Sequence, residues 1–434
     1  MLYIYTEITK YLIILFMALF LAEGILSEVL RDGYEAASGF VIRQRIYMVI
    51  IMILAYSTMT LKTGKLDYAF FGLFVMVMLV AVLILTNMLY SYTDNILLNN
   101  MAMMINVGMI ILIRLNFNKS LKQLIIAAFS LGLAMFIPML LSKFQFINDY
   151  GYIYALAGIL PLLVVLILGV TTNGSKLSFT ILGITIQPSE LVKIIFVFCI
   201  AALFSKAKNY VDIVITIVIA AIHVLVLVLS KDLGSALIFF VAYIFMMFIF
   251  THNYLLFGLA LVSGAVASFI AYKVFTHVQV RVAAFLDPFS VIDREGYQIG
   301  QSLFALGCGN FFGMGLTKGA PNDIPFVESD FIFSAICEEM GALFGILLLG
   351  TCMLSFVIIM RTSIEAKGKF RRILAAGIGV MYIFQVFLTV GGGIKFIPLT
   401  GVTLPFVSYG GSSILSSVIM FFIVEWVIME AYDE

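Results

Sequence analysis

Residues 325–345 read PFVESDFIFSAICEEMGALFG: a carboxylate, Asp330, heads a long apolar run, and two more, Glu338 and Glu339, lie inside it. One ionisable group near the centre of a bilayer costs about 2.5–3.5 kcal/mol on insertion scales. Three in one segment need either partners or a task. The rest of the chain fixes the solvent in which this run folds. Hydrophobic residues make up 63% of the 434 residues, charged residues 11%, and mean hydropathy is +1.14, whereas a soluble domain is nearer half apolar and a quarter charged. Thirteen apolar segments approach the ~20 residues needed to cross a hydrocarbon core. They lie at 8–29, 45–61, 67–91, 98–116, 121–142, 152–172, 187–205, 211–230, 234–251, 254–273, 330–360, 371–394 and 411–430. The expected fold is an all-α polytopic membrane protein.

Other classes are set aside on the same grounds. A net charge of +1 offers no electrostatic footprint for nucleic acid. Leu12–Leu26 could pass for a signal-peptide core, but no small-residue cleavage site follows and further spans come at once, so it is read as a helix. Cys199, Cys308, Cys337 and Cys352, like His223, His252 and His277, are scattered without ligand spacing, so no zinc or haem site is expected.

Connections are short except Val274–Ser329, a loop of 56 residues that holds Arg281, Asp287, Asp293, Arg294, Glu295, Lys318, Asp323 and Glu328. Long loops in compact proteins tend to be functional. Lys and Arg in short loops set orientation. MRTSIEAKGKFRR (360–372) is the strongest marker and is placed in the cytoplasm, with FSKAKNY (204–210) on the same side and the long loop outside. The helix count then puts the N-terminus outside and Arg31, Arg43 and Arg45 inside. LNFNKSLKQL (115–124) lands outside although it is mildly basic, and breaks the rule once.

The chemistry-bearing stretches cluster toward the outer face. Read as one helix, 330–360 would be about 46 Å long at 1.5 Å per residue, with Asp330 on its first turn, Ser329 as N-cap, and Glu338 about 12 Å deeper. A helix N-terminus favours an ionised carboxylate. The bland alternatives are an Asp that only caps, and buried Glu side chains paired with cations or backbone donors. QPSELVK (187–193) starts a helix with Pro188 in its first turn and Glu190 and Lys193 at i,i+3, a spacing that allows an internally satisfied pair. SKDLGSALIFF (230–240) places Asp232 at a helix start beside Lys231. ALGCGNFFGMGLTKG (305–319) has Gly307, Gly309, Gly313 and Gly315, which read as close loop packing and not as a nucleotide loop, because no strand precedes them. IKFIPLTGVTLPFVSYGGSS (394–413) is broken by Pro398, Pro405, Gly410 and Gly411, tolerable at membrane depth only beside protein or a cavity. Asp232, Arg281, Asp287, Lys318, Glu328 and Asp330 together suggest a site for a polar, anionic, membrane-associated substrate.

QPSELVK, KDLGSA, RVAAFLDPF, GYQIGQSLFALGCGNFFGMGL, ESDFIFSAICEEMG and PLTGVTLPFVSYGGSS occur in the order seen in the SEDS family, the FtsW, RodA and SpoVE group, which the chain resembles over about residues 98–430. The resemblance implies a ten-helix core at 98–434, with three further helices in 1–97. It implies a bacterial cytoplasmic-membrane glycosyltransferase of cell division, elongation or sporulation. Such an enzyme polymerises lipid II at the outer face beside a class B penicillin-binding protein. Asp330 matches the family's catalytic aspartate. Glu338, Glu339, Pro405, Ser408, Gly410 and Gly411 match positions that support the cavity. Arg281, Lys193, Lys231, Asp232, Glu190, Lys318 and Glu328 become candidates for binding the substrate, with a divalent cation (Mg or Mn) as a further counter-charge for pyrophosphate.

The chain departs from the pattern in several places. The usual PExHTDFIF is Pro325-Phe326-Val327-Glu328-Ser329-Asp330, without the histidine, Phe179 stands for the usual tryptophan, and QPDLG is Ser230-Lys231-Asp232-Leu233-Gly234. A lipid II flippase, or a scaffold that recruits a penicillin-binding protein without activity of its own, are the alternative readings of the same cavity.

Overall fold

The computed structural model describes residues 2–30, 34–144, 146–172, 175–181, 184–293 and 296–433; Arg31, Arg294 and Glu295 lie outside that set. Among the described residues, thirteen helices are long and apolar enough to cross a membrane, the number the apolar segments predict. The chain begins with α1 (Leu2–Val29), α2 (Tyr34–Thr63), α3 (Asp67–Leu89), α4 (Asn95–Leu115), α5 (Phe117–Ala134), α6 (Ile137–Lys143) and α7 (Gly151–Leu168). After a small sheet come α8 (Pro188–Lys206), α9 (Tyr210–Leu229), α10 (Leu233–Thr251) and α11 (Tyr254–Val274). The long connection contains α12 (Thr276–Leu286), α13 (Tyr297–Gly309) and α14 (Ile332–Met340), and α15 (Ala342–Glu365), α16 (Lys369–Gly393) and α17 (Gly411–Asp433) complete the chain.

The helical membrane fold stands, with one local addition and two corrected boundaries. The addition is a three-stranded antiparallel sheet, β1 (Val170–Thr172), β2 (Ser175–Ile181) and β3 (Ile184–Ile186). Its signal is present in the β-branched residues and in the Asn173-Gly174 pair between β1 and β2, a strong hairpin dipeptide. The segment read as 45–61 is longer, and α2 supplies a span from Ser38 to Thr63. The single helix read over 330–360 is two, α14 and α15, so the connection between spans runs on to Gly341.

The break at Gly341 has a steric cause. Gly341 adopts φ +94, and a Cβ there would lie 2.4 Å from the carbonyl oxygen of Phe311 and 2.5 Å from the amide nitrogen of Gly313. The following amides leave the α-helical ladder: Ala342 N donates to Asn310 O at 2.9 Å and Leu343 N to Phe311 O at 3.1 Å. The loop backbone therefore inserts where one more helical turn would run.

The chain forms two compact units. The first comprises Met1–Gly132, Arg281–Ile358 and Val386–Gly410; the second comprises Leu133–Val280, Ile359–Gln385 and Gly411–Glu434. In the first, α4 is buried along its whole membrane window, including Asn99, Asn100 and Asn106. Asn99 donates to Gln44 Oε1 at 3.1 Å and accepts from Arg45 Nε at 3.0 Å, which joins α4 to α2. The α1–α2 pair buries Met17, Phe20, Met48 and Met52 and is bonded internally by Thr58 Oγ1 donating to Thr9 Oγ1 at 3.1 Å. Lipid is as apolar as these side chains, so close packing and interhelical hydrogen bonds hold the pair in place of a hydrophobic drive. In the second unit, Phe196 of α8 and Phe239 of α10 meet at 4.7 Å between ring centroids.

Candidate active site

Asp330 lies in a turn and not in a helix. α14 begins at Ile332 with Phe331 in the N-cap position and no side-chain cap, so Asp330 is not on the first helical turn and Ser329 is not the N-cap. The turn is closed by its own backbone: Ser329 N and Asp330 N both donate to Phe326 O at 3.1 Å, with Phe326 at φ +57. Without a helix dipole to hold its charge, the Asp330 carboxyl is governed by burial, which pushes it up to about 6; a hydrogen bond from Ser329 and the nearby Arg281 oppose that rise, and Glu328 adds to it.

The broken segment 394–410 holds this turn in place. Ser408 Oγ donates to Ser329 O at 2.5 Å and accepts from Leu404 N at 2.9 Å, while Tyr409 N donates to Glu328 O at 2.7 Å. From α5, Gln123 Nε2 donates to Ser408 O and its Oε1 accepts from Gly410 N, both at 3.3 Å. Lys119 pairs with Glu328 and stands 5.9 Å from the Tyr409 ring centre. Arg281 Nη1 donates to Thr400 O at 3.1 Å. The next residue, Gly401, has φ +74, and a Cβ there would be 3.5 Å from Arg281 Nη2 and 3.8 Å from Asp330 Oδ2. A guanidinium and a carboxylate thus face the same bare stretch of backbone. Ser408→Ala removes two hydrogen bonds worth about 0.5–1.5 kcal/mol each. The variant is expected to melt at a lower temperature in detergent; an unchanged melting temperature would show that the clamp does not hold the turn.

Glu338 and Glu339 hold the loop that precedes the turn. Glu338 Oε1 accepts from Ala320 N at 2.9 Å; Glu339 Oε1 accepts from Arg114 Nε at 2.9 Å, and Arg114 Nη2 donates to Gly319 O at 3.1 Å. Their main-chain carbonyls accept from Met314 N and Gly315 N at 2.9 and 2.8 Å. Of the glycines of 305–319, Gly309 and Gly313 serve close packing: a Cβ on Gly309 would sit 2.1 Å from Cys337 O and one on Gly313 2.4 Å from Glu339 O, whereas a Cβ on Gly307 would meet nothing within 4 Å.

Lys318 does not join Asp330. It pairs with Glu7 of α1 and lies 4.9 Å from the Tyr3 ring centre, while Lys10 donates to Gly313 O at 3.3 Å and Lys62 to Thr317 O at 2.8 Å. The start of α1 and the end of α2 therefore share a face with the long loop, whichever way the protein is inserted. With that loop outside, a cysteine at the exposed Ile4 is expected to label from outside intact cells together with the exposed native Cys308. Labelling of Cys308 alone would mean that the helix count is off by one.

Glu190, Lys193, Lys231, Asp232 and Gly411 belong to the second unit. Lys193 pairs with Glu190 at 2.8 Å and donates to Gln385 Oε1 at 2.7 Å; Ser416 Oγ donates to Glu190 Oε2 at 2.9 Å. Both ions are buried and mutually satisfied, the bland reading of the i,i+3 spacing. Asp232 caps α10 by accepting from Ser235 N at 3.1 Å, and also accepts from Ser189 Oγ at 3.2 Å and Gln187 Nε2 at 3.3 Å. Burial raises its pKa against those donors. Lys231, at φ +62, precedes it. Pro405 is buried in the first unit, and Gly411 opens α17 in the second. Among the described residues no group of three or more His, Cys, Asp or Glu side chains converges, and Glu328 beside Asp330 is engaged by Lys119.

Arg114, Lys119, Gln123, Thr400, Gly401 and Tyr409 escaped the sequence reading. One signal for them was present: 115–124 was the basic segment that broke the charge rule. Lys119 within it, and Arg114 just before it, lie against Glu328 and Glu339, so these cations are neutralised locally.

The fold and the acidic turn define a multi-pass helical membrane protein with a carboxylate site between a loop and a broken helix. Residues 95–433 match the FtsW/RodA/SpoVE family, described as "Cell cycle protein", and the chain belongs to that family of the bacterial cytoplasmic membrane. It is 34% identical over 363 residues to the peptidoglycan glycosyltransferase RodA of Mycobacterium tuberculosis, covering 76% of each chain. It is 34% identical over 275 residues to the probable peptidoglycan glycosyltransferase FtsW of Tolumonas auensis, covering 60% of this chain and 71% of that one. Among solved structures, a chain from work described as "Structural coordination of polymerization and crosslinking by a peptidoglycan synthase complex" superposes with TM-score 0.66 at 24% identity, covering 79% of this chain and 99% of that one. The rod shape determining protein RodA of Thermus thermophilus gives TM-score 0.56 at 22% identity, covering 79% and 98%.

Proposed function

We propose that the chain is a peptidoglycan glycosyltransferase that polymerises lipid II at the outer membrane face, with Asp330 as general base. The observation that carries the reading is the Asp330 carboxyl, half-buried, raised to about 6, and facing Gly401 together with Arg281. A base with a pKa just below the working pH is deprotonated yet still basic enough to take a proton. The acceptor's 4-hydroxyl attacks the anomeric carbon of the donor, the glycosidic bond forms, and the bond to polyprenyl pyrophosphate breaks. The hydroxyl proton passes to Asp330, and the pyrophosphate leaves with its charge. Arg281 is the cation of the site placed to meet that charge. Glu338 and Glu339 act through the loop they hold, and touch no reacting atom in this scheme.

The relatives' names support glycan polymerisation, and the synthase complex of the structural neighbour supports a crosslinking partner, which we take to be a class B penicillin-binding protein. Purified protein incubated with labelled lipid II, with and without that partner, is expected to yield polymer on a gel, with more when the partner is present. Transfer of lipid II across vesicles without polymer would identify a transporter. Neither activity, with the partner still bound, would identify a scaffold.

A further inference from the structure

The second unit carries a cavity unrelated to either acidic cluster. It has a volume of about 720 Å³ and is lined by Lys206, Lys367, Lys369 and Arg371, with Trp426 and Glu430. Beside it, sharing Leu141, Phe144 and Ile147, runs a groove of about 560 Å³ whose walls include Phe146, Tyr150, Tyr154 and Phe198. Both lie in the size range of small-ligand pockets, roughly 300–1,000 Å³. The charges do not cancel. Lys206 pairs with Asp149 at 2.7 Å, and Arg371 pairs with Glu430 at 2.6 Å. The exposed Lys367 and Lys369 form no ion pair among the described residues, and Lys143 adds a cation at the wall of the groove.

We propose that this cavity and groove form a binding site for an anionic phospholipid of the cytoplasmic leaflet. The phosphate sits among Lys367, Lys369 and Lys206, and an acyl chain lies along Phe144, Tyr150 and Phe198. Charge alone would suit a soluble anion equally, but a soluble anion has no use for the adjoining apolar groove. A lipid occupies both, because its polar and apolar ends are separated in the same way as the two spaces. The 361–372 segment then does more than orient the chain.

The test uses full-length protein in detergent, exchanged with equal amounts of phosphatidylglycerol and phosphatidylcholine, and reads retained lipid by native mass spectrometry. Phosphatidylglycerol is expected to be retained in preference, and Lys367→Gln and Lys369→Gln each to lower that preference by about fivefold, the factor expected for one surface cation. Phe144→Ala should lower retention of both lipids and leave their ratio unchanged. Equal retention by the wild type, or a preference untouched in the double lysine variant, would overturn the proposal and leave the basic segment as an orientation signal only. Full displacement of phosphatidylglycerol by millimolar inorganic phosphate would overturn it too, in favour of a soluble-anion site.

Discussion

Asp330→Asn is expected to lower glycan polymerisation by about 10²–10⁴-fold, the usual worth of a positioned general base, while expression and thermal stability stay near wild type. Asn keeps the shape and can accept the Ser329 hydrogen bond, so the turn from Phe326 to Asp330 should persist. What it cannot do is take a proton. In the wild type, the pH dependence follows from a carboxyl pushed up to about 6 by burial. Above that value the base form dominates and the rate is flat; as pH falls through 6 the carboxyl protonates and the rate falls about tenfold per unit. The Asn variant should lose this acidic limb along with the activity. Near-normal polymer from a folded Asp330→Asn protein, or a wild-type rate that holds level down to pH 4.5, would remove Asp330 from the role.

Arg114→Ala carries the largest expected effect on stability. Arg114 bridges Glu339 and the Gly319 carbonyl, and the Glu339 side chain is 1% exposed. Removing one partner of a buried pair costs about 3–5 kcal/mol, because the other charge is left unpaired. Burial already pushes the Glu339 carboxyl up to about 7, against the pull of Arg114. A carboxyl raised in the folded state binds its proton more tightly there than when unfolded, so stability falls as pH rises toward the folded pKa. Losing Arg114 raises that pKa further. The variant should therefore be far less stable at pH 8 than at pH 6, and a second change, Glu339→Gln, should restore much of the loss. A melting temperature unchanged in detergent at pH 8 would refute the pairing as a structural support.

Membership of the membrane and the number of spans were legible in the sequence. They depend on local quantities: the length of each apolar run, the sign of its flanking charges, and prolines and glycines that cannot continue a helix. Asp232 at a helix start and the Glu190–Lys193 pair were legible for the same reason, since both partners lie within one helical turn. The division of 330–360 at Gly341 was not, because what stops the helix is the backbone of residues 310–313 packed into its path. Helical periodicity carries no trace of a distant chain. The partners of the acids were equally hidden: Glu328 finds Lys119, Glu339 finds Arg114 and Lys318 finds Glu7, each more than two hundred residues away. Residue types at membrane depth declare that a charge needs a partner, and only the tertiary packing, which brings remote helix ends to one face, decides which partner it is.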